Sequence, residues 1–267
     1  MAMIPRVTVV TPTLNAAQYF RDCLDSLEAQ REFLAVEHIV VDDGSTDGTR
    51  EIAIASGATI FEGERAGLYA AMNLGLAHAS GDYVGVLNAD DYLYPGALRS
   101  LVTAIDRSGR PWAIGTLKWV DGQRRSAGTL SPPPPWLPPA ALACLGWNWM
   151  HHQTTYMTRA FWSTLGGFDT SFRSAADYDL VLRARRASPF ATVHAATAAF
   201  RRHGENLSMT TDVVGQEEAR IQHVYGPTSP TAAQLIKLFD KALVNTRNPR
   251  WALMKQRAWR ARSPGDG

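Results

Sequence analysis

The stretch HIVVDDGSTDGT (residues 38–49) decides how the first half of the chain reads. Its opening residues, 38–41, form a short apolar, β-branched run without polar alternation. That pattern marks a strand covered on both faces. Two adjacent carboxylates and a Gly-Ser-Thr-Asp-Gly loop then stop the strand. A helical pattern resumes over residues 49–56. Outward from this point the same alternation repeats. Residues 7–11 (VTVVT), 58–61 and 83–87 (YVGVL) read as further buried strands. Helices are predicted over 16–30, where Tyr19, Phe20, Cys23, Leu24 and Leu27 share a face, and over 67–79, with Leu68, Ala71, Met72, Leu74, Leu76 and Ala77. The βαβαβαβ order predicts an α/β fold with a mostly parallel central sheet flanked by helices.

The second half is less regular. Residues 112–120 and 123–130 flank Asp121-Gly122, a hairpin signal. The stretch PPPPWLPP (132–139) follows as a stiff polyproline segment. A helix is predicted over 176–187, a strand near 196–201, and two helices over 231–244 and 249–262. These changes divide the chain into a regular α/β half over 1–110, a smaller mixed part over 111–225, and a basic helical tail over 226–267.

With 267 residues, 45% hydrophobic and 19% charged, the chain can bury a sizeable core. A net charge of +2 is too mild to suggest a nucleic-acid partner. The two cysteines, Cys23 and Cys144, lie in no metal or redox motif and indicate a reducing compartment. Pro5, Arg6 and the nearby threonines interrupt any signal-peptide core, and no apolar run reaches the length of a membrane span, so the protein is expected in the cytosol.

In open α/β sheets, ligands bind beyond the carboxyl ends of the strands. Three polar clusters fall there: Thr11-Pro12-Thr13-Leu14-Asn15, Asp42-Asp43-Gly44-Ser45 and Asn88-Ala89-Asp90-Asp91. Converging carboxylates repel unless a cation or hydrogen-bond donors lie between them. Oxygen ligands select a hard ion, Mg²⁺ or Mn²⁺, and such ions commonly hold substrate phosphates. The alternative for Ser45 or Asp47 is a helix cap.

TPTLN (11–15), VVDDGSTDGT (40–49), GLYAAMNLGLAHASGDYVGVLNADD (67–91) and GGFDTSFRSAADYDLVLR (166–183) together resemble family 2 glycosyltransferases of the GT-A fold. The resemblance extends over roughly residues 5–210. It implies transfer of a sugar from a UDP-, dTDP- or GDP-sugar to an acceptor hydroxyl on a saccharide or lipid-linked glycan, with inversion and with Mg²⁺ or Mn²⁺. It also implies roles by position. Thr11, Pro12 and Asn15 match the loop beside base and ribose; Asp43, with Asp42 beside it, matches the base contact; Arg65 lies where a basic residue nears the diphosphate. Asn88-Ala89-Asp90 matches the family's DxD motif, with Asp90 at the metal, Asp91 assisting and Asn88 in place of the first Asp. His203 is either a third metal ligand or an exposed loop histidine.

Ala70-Ala71-Met72-Asn73 matches a subgroup's Asp-Ala-Met-Asn helix with its Asp replaced; Asn73 is either a donor-side amide or a helix cap. Ala176-Asp177-Tyr178-Asp179 matches a Glu-Asp-x-Asp stretch with Ala176 for the Glu. Asp177 falls on the family's base, and Asp179 is the alternative. His152-Gln153 matches a His-Gln pair near the donor sugar, and Trp149 offers a ring face to a sugar or packs in the core. Other readings of the same clusters are a nucleotidyltransferase and a non-catalytic nucleotide-sugar-binding protein. Against the first, TPTLN is not the Gly-rich basic loop such an enzyme uses.

From Lys237 to Arg262 there are eight Lys and Arg against one Asp, interleaved with Leu238, Phe239, Leu243, Trp251, Leu253, Met254 and Trp259. A basic amphipathic segment of this kind predicts peripheral contact with an anionic membrane face.

Overall fold

A computed structural model describes residues 6–32, 34–145, 151–203 and 211–247. Strands β1 (Arg6–Thr13), β2 (Ala35–Asp42), β3 (Thr59–Glu62) and β4 (Tyr83–Val86) run parallel in the order β3-β2-β1-β4. Helices α1 (Ala17–Glu28), α2 (Thr49–Ala55) and α3 (Leu68–Ala77) connect them. Val7, Val9, Val10, Ile39, Val40 and Val41 are buried, as unbroken apolar runs in a parallel sheet require.

Beyond β4 the sheet continues with a different grammar. Strand β8 (Thr155–Thr158) pairs antiparallel with β4, and β6 (Trp112–Val120) pairs antiparallel with β8. Strand β9 (Ala191–Arg201) lies parallel to β6, and the short β5 (Tyr92–Leu93) closes that edge antiparallel to β9. Strand β7 (Ser126–Leu130) forms the expected hairpin with β6. The turn is held by Asp121, whose Oδ1 accepts from the Gln123 and Arg125 amides at 2.9 Å each.

Some elements had no counterpart in the sequence reading. Helix α4 (Ala97–Ser108) buries Leu98, Leu101, Val102 and Ile105, positions i, i+3, i+4 and i+7 of one helix face. Helices α5 (Pro139–Leu145), α6 (Arg159–Leu165) and α8 (Thr211–Tyr225) are likewise additional. Strand β9 begins five residues earlier than the predicted start at 196, because its small residues pair along β6. Helix α7 (Ala176–Ala187) matches expectation, and α9 (Pro230–Arg247) contains the predicted 231–244. The predicted helix over 249–262 lies outside the described residues.

The centre of the sheet depends on one close approach. Gly85 on β4 pairs with Val9 of β1 on one side and Tyr156 of β8 on the other. A Cβ there would stand 2.3 Å from Tyr156 Cε1, and the Tyr156 ring is fully buried. Gly85→Ala is therefore expected to lower stability by about 1–3 kcal/mol, the usual scale for overpacking a rigid core. A shift in the urea midpoint without a change in slope is the measurement that checks it.

Candidate active site

The register of β1 on β2 sets Thr13 beside Asp42. Thr13 Oγ1 donates to Asp42 Oδ1 at 2.8 Å, and the Ser45 hydroxyl and amide donate to the same carboxylate at 2.5 and 3.1 Å. Asp42 is 2% exposed, so its charge is spent holding the loop that follows β2. Asn15 ties that loop to β1: its amide donates to Ser45 Oγ, and its Oδ1 accepts from the Thr46 amide at 2.9 Å. Its φ of 50° is one that Asn tolerates better than most residues. Asp47 caps as the bland reading had it, accepting from the Thr49 and Ala17 amides at the starts of α2 and α1. Thr11 points into the protein, where its hydroxyl lies 3.0 Å from His38 Nε2.

Asp43, the second residue of the pair, is half-buried, and its Oδ1 accepts from the Arg65 amide at 3.1 Å. The exposed Arg65 guanidinium lies against Gly44, where a Cβ would meet Nη2 at 2.6 Å. The exposed Arg65 end can move aside, but Gly44 takes φ +90°, which favours glycine here. Asn73 is committed elsewhere. Its Nδ2 donates to Phe168 O and its Oδ1 accepts from Phe168 N, both at 2.8 Å, which pins the Gly166-Gly167-Phe168 corner to α3.

At the end of β4 the three polar residues diverge. Asp91 turns inward and is fully buried; it accepts from the Arg201 amide at 2.9 Å and from Gln153 Nε2 at 2.6 Å. Burial, and then the neighbouring Asp90 charge, push its carboxyl well above the usual carboxylate range. The expected assisting metal ligand is thus an internal brace, and Gln153 is its partner rather than a sugar contact. Asp90 and Asn88 stay half-buried at the surface of the cleft. Asp90 Oδ2 lies 2.9 Å from His203 Nε2, and the His203 ring packs on Tyr19 at 5.1 Å between centroids.

The expected base joins the same loop. Asp177 stands in the first turn of α7 with a side chain 9% exposed, and His152 Nδ1 lies 3.2 Å from its Oδ2. The other ring nitrogen of His152 lies 3.0 Å from Asn88 Oδ1. A carboxylate only accepts, so Nδ1 carries a proton. An amide can meet Nε2 with its oxygen or its NH₂, so Asn88 suits His152 in either charge state. The Tyr69 hydroxyl donates to Asp177 Oδ1 at 3.3 Å. Burial, and then the Asp177 charge, hold the Tyr69 phenol well above its ordinary pKa, so it remains a donor. An apolar cleft including Leu76, Val86, Met157, Trp162 and Phe168 backs Asp177 and His152.

Asp179 does not share this setting. Its Oδ2 accepts from Arg183 Nε at 2.7 Å, and its Oδ1 accepts from the Tyr225 hydroxyl at 2.9 Å. Of the two candidate bases, Asp177 is the one linked, through His152, to the loop after β4. Trp149 lies outside the described residues. Tyr69, Thr13 and Arg201 were missed by sequence reasoning. Thr13 and Tyr69 sit within quoted motif stretches, whereas Arg201 carried no local signal.

Among the described residues, no three His, Cys, Asp or Glu side chains form a complete metal cage. Asp90 and His203 supply one oxygen and one imidazole nitrogen facing each other. That pair fits Mg²⁺ or Mn²⁺, which take few protein ligands and complete their shells with substrate phosphate and water.

A parallel nucleotide-type sheet, an acidic loop at its carboxyl edge and a helix-borne carboxylate facing that loop define a glycosyltransferase of GT-A type. The chain belongs to glycosyl transferase family 2, whose family model matches residues 8–173. It is 33% identical over 193 residues to an uncharacterized glycosyltransferase of Mycobacterium tuberculosis, covering 69% of this chain and 70% of that one. It is 27% identical over 226 residues to the chondroitin synthase of Pasteurella multocida, covering 77% of this chain and 22% of that one. The fold is similar to S. aureus TarS solved in complex with UDP-GlcNAc, with TM-score 0.66, 19% identity and coverage of 87% and 70% of the two chains. It is also similar to a mannosyltransferase of Pyrobaculum calidifontis in complex with GDP-Man and Mn²⁺, with TM-score 0.57, 20% identity and coverage of 98% and 77%.

The contrast between Asp90 and Asp91 is testable without substrate. Asp91→Ala leaves the Arg201 amide and the Gln153 amide without an acceptor, at about 1–3 kcal/mol for each buried donor. Chemical denaturation is expected to show that loss for Asp91→Ala and little change for Asp90→Ala.

Proposed function

We propose that this glycosyltransferase moves a sugar from a nucleoside-diphosphate sugar to a hydroxyl of a saccharide or lipid-linked glycan, with inversion. The observation that carries this reading is the single imidazole, His152, that joins Asp177 to the loop bearing Asp90. That link supports a proton acceptor beside the residues suited to a metal-bound diphosphate. The co-crystallised nucleotide sugars of the two structural neighbours supply the donor class.

Asp90 and His203 would hold Mg²⁺ or Mn²⁺, which when bound supplies positive charge to the departing diphosphate. Asp43, Asn15 and Pro12 form the wall for base and ribose, and Arg65 faces the diphosphate. Thr11, Asp42 and Asn73 serve this surface indirectly, by holding its backbone. In the transfer, the acceptor oxygen forms its bond to the anomeric carbon as the bond from that carbon to the diphosphate oxygen breaks. The hydroxyl proton passes to Asp177, and the nucleoside diphosphate leaves on the opposite face. The Tyr69 hydroxyl and His152 Nδ1–H hold the carboxylate aimed.

Asp177→Asn keeps the shape and removes the basic oxygen. Turnover is expected to fall by ~10²-fold or more, with donor affinity nearly unchanged. Asp90→Ala is expected to abolish the Mn²⁺-dependent rise in melting temperature produced by the preferred nucleotide sugar from a panel including UDP-GlcNAc and GDP-mannose. Undiminished Mn²⁺-dependent binding in Asp90→Ala sinks the metal assignment, and full turnover in Asp177→Asn sinks the base assignment.

The same reading places the enzyme on an anionic membrane face through its basic tail. No described helix is long and apolar enough to cross a membrane. Leu235 and Leu238 of α9 are 63% and 59% exposed and share one face. Each basic residue near such a surface contributes about 1 kcal/mol of attraction at moderate salt. The full chain is expected to sediment with phosphatidylserine-containing liposomes and to release in high salt. A chain ending at Pro249 should stay in the supernatant, and equal sedimentation of the two would remove the membrane assignment.

A further inference from the structure

Helix α7 carries Asp177 one residue from its start, yet it has no cap of its own. Its N-cap residue is Ala175, which offers no side-chain acceptor. The amides of Arg173, Ser174 and Ala175 donate instead to one carboxylate, that of Glu217 on α8, at 2.7, 2.9 and 3.0 Å. A glutamate accepts that many bonds with its two oxygens. It also sets a negative charge at the positive end of the helix.

Helix α8 is built to hold Glu217 there. Glu217, Ile221 and Tyr225 follow one another at four-residue spacing and so share a face. Ile221 is 1% exposed in the core, and the Tyr225 hydroxyl donates to Asp179 Oδ1 one turn along α7. Arg220 adds a cation–π contact on Phe172, 4.4 Å from the ring centroid, and donates to Ser171 Oγ at 3.2 Å. Helix α8 thus grips the chain from 171 to 179 on both sides of Asp177.

We infer that Glu217 is a positioning residue: by capping α7 from a separate helix, it sets where Asp177 stands relative to His152 and Tyr69. The inference rests on Asp177 being the base. Glu217 touches neither substrate nor Asp177 itself. Its contribution runs through the backbone of residues 173–176. A displacement of the base by about 1 Å can cost on the order of 10²-fold in rate.

The test uses the full chain and four proteins: wild type, Glu217→Ala, Asp177→Asn and the double variant. Hydrogen exchange followed by mass spectrometry needs no substrate. Glu217→Ala should lose protection over residues 173–179 while β1 to β4 stay protected. Unchanged protection over 173–179, or loss spread across the whole molecule, overturns the inference. Release of nucleoside diphosphate from the panel donor with the largest melting shift gives the second readout. Glu217→Ala should slow it by about tenfold to a hundredfold without raising the donor KM, and Glu217→Asp should recover part of the rate. In the Asp177→Asn background the added Glu217→Ala change should cost little further, because the group it positions is already gone. An equal loss in both backgrounds shows a role that does not run through Asp177 and overturns the inference. If Asp177→Asn turns over at the full rate, the base assignment fails and this inference falls with it. If Asp177→Asn is slow and Glu217→Ala is not, only the positioning role fails.

Discussion

The buried guanidinium of Arg201 is the constraint on which the site depends. It stands at the end of β9, 1% exposed, and a charge so placed is tolerated only when its donors are met. They are met from three separate parts of the chain. Nη2 donates to Asp22 of α1 at 2.5 Å, Nη1 to the Gly122 carbonyl in the β6–β7 turn at 3.0 Å, and Nε to the Asp90 carbonyl at 2.9 Å. The Tyr19 ring covers its face at 4.4 Å. One side chain therefore locks the first helix, the hairpin turn and the loop after β4 into one arrangement. Two residues further on, the chain delivers His203 to Asp90. The Asp90–His203 pair is thus set by a residue that takes no part in it.

The parallel half of the fold was legible because its physics is local. β-Branched runs such as VTVV at 7–10 can only be buried, and polar loops with Gly and Asp must end them. The second half was less legible because its order is non-local. Strand β9 is rich in alanine and carries little strand propensity, and its neighbours β6 and β5 supply its place. Helix α4 is a different lesson: its apolar spacing, bracketed by left-handed Gly96 and Gly109, was readable and was passed over. At the site, residue types and loops were legible, whereas the division of labour within each loop was not. Nothing in Asp90-Asp91 states that the second carboxylate turns inward to meet an amide 110 positions away.

The departures from the family's pattern look different with neighbours in view. Ala176 is fully buried beside Ala175 at the start of α7, and the carboxylate serving that helix end comes from Glu217 instead. Asn88 replaces a carboxylate with an amide that can meet His152 with either polarity. A carboxylate at 88 would place the ring between two acceptors and require the imidazolium form. Both changes leave the surroundings of Asp177 satisfied.

The three acidic clusters follow one electrostatic rule. Two carboxylates at neighbouring positions repel, and the repulsion grows as water is excluded. In each cluster, one of the two is consumed by protein donors: Asp42 by Thr13 and Ser45, Asp91 by Arg201 and Gln153, Asp179 by Arg183 and Tyr225. The other faces the cleft: Asp43 beside Arg65, Asp90 beside His203, Asp177 beside His152. The consumed carboxylate fixes the loop or helix turn, and the other is thereby carried at a set position. A protein that left both open would need a second cation in each cluster. A protein that consumed both would have no negative charge left to bind an ion or accept a proton. Pairing one holder with one worker at each strand or helix end resolves the conflict within two or three residues of sequence, in Asp42-Asp43, Asp90-Asp91 and Asp177-Tyr178-Asp179 alike.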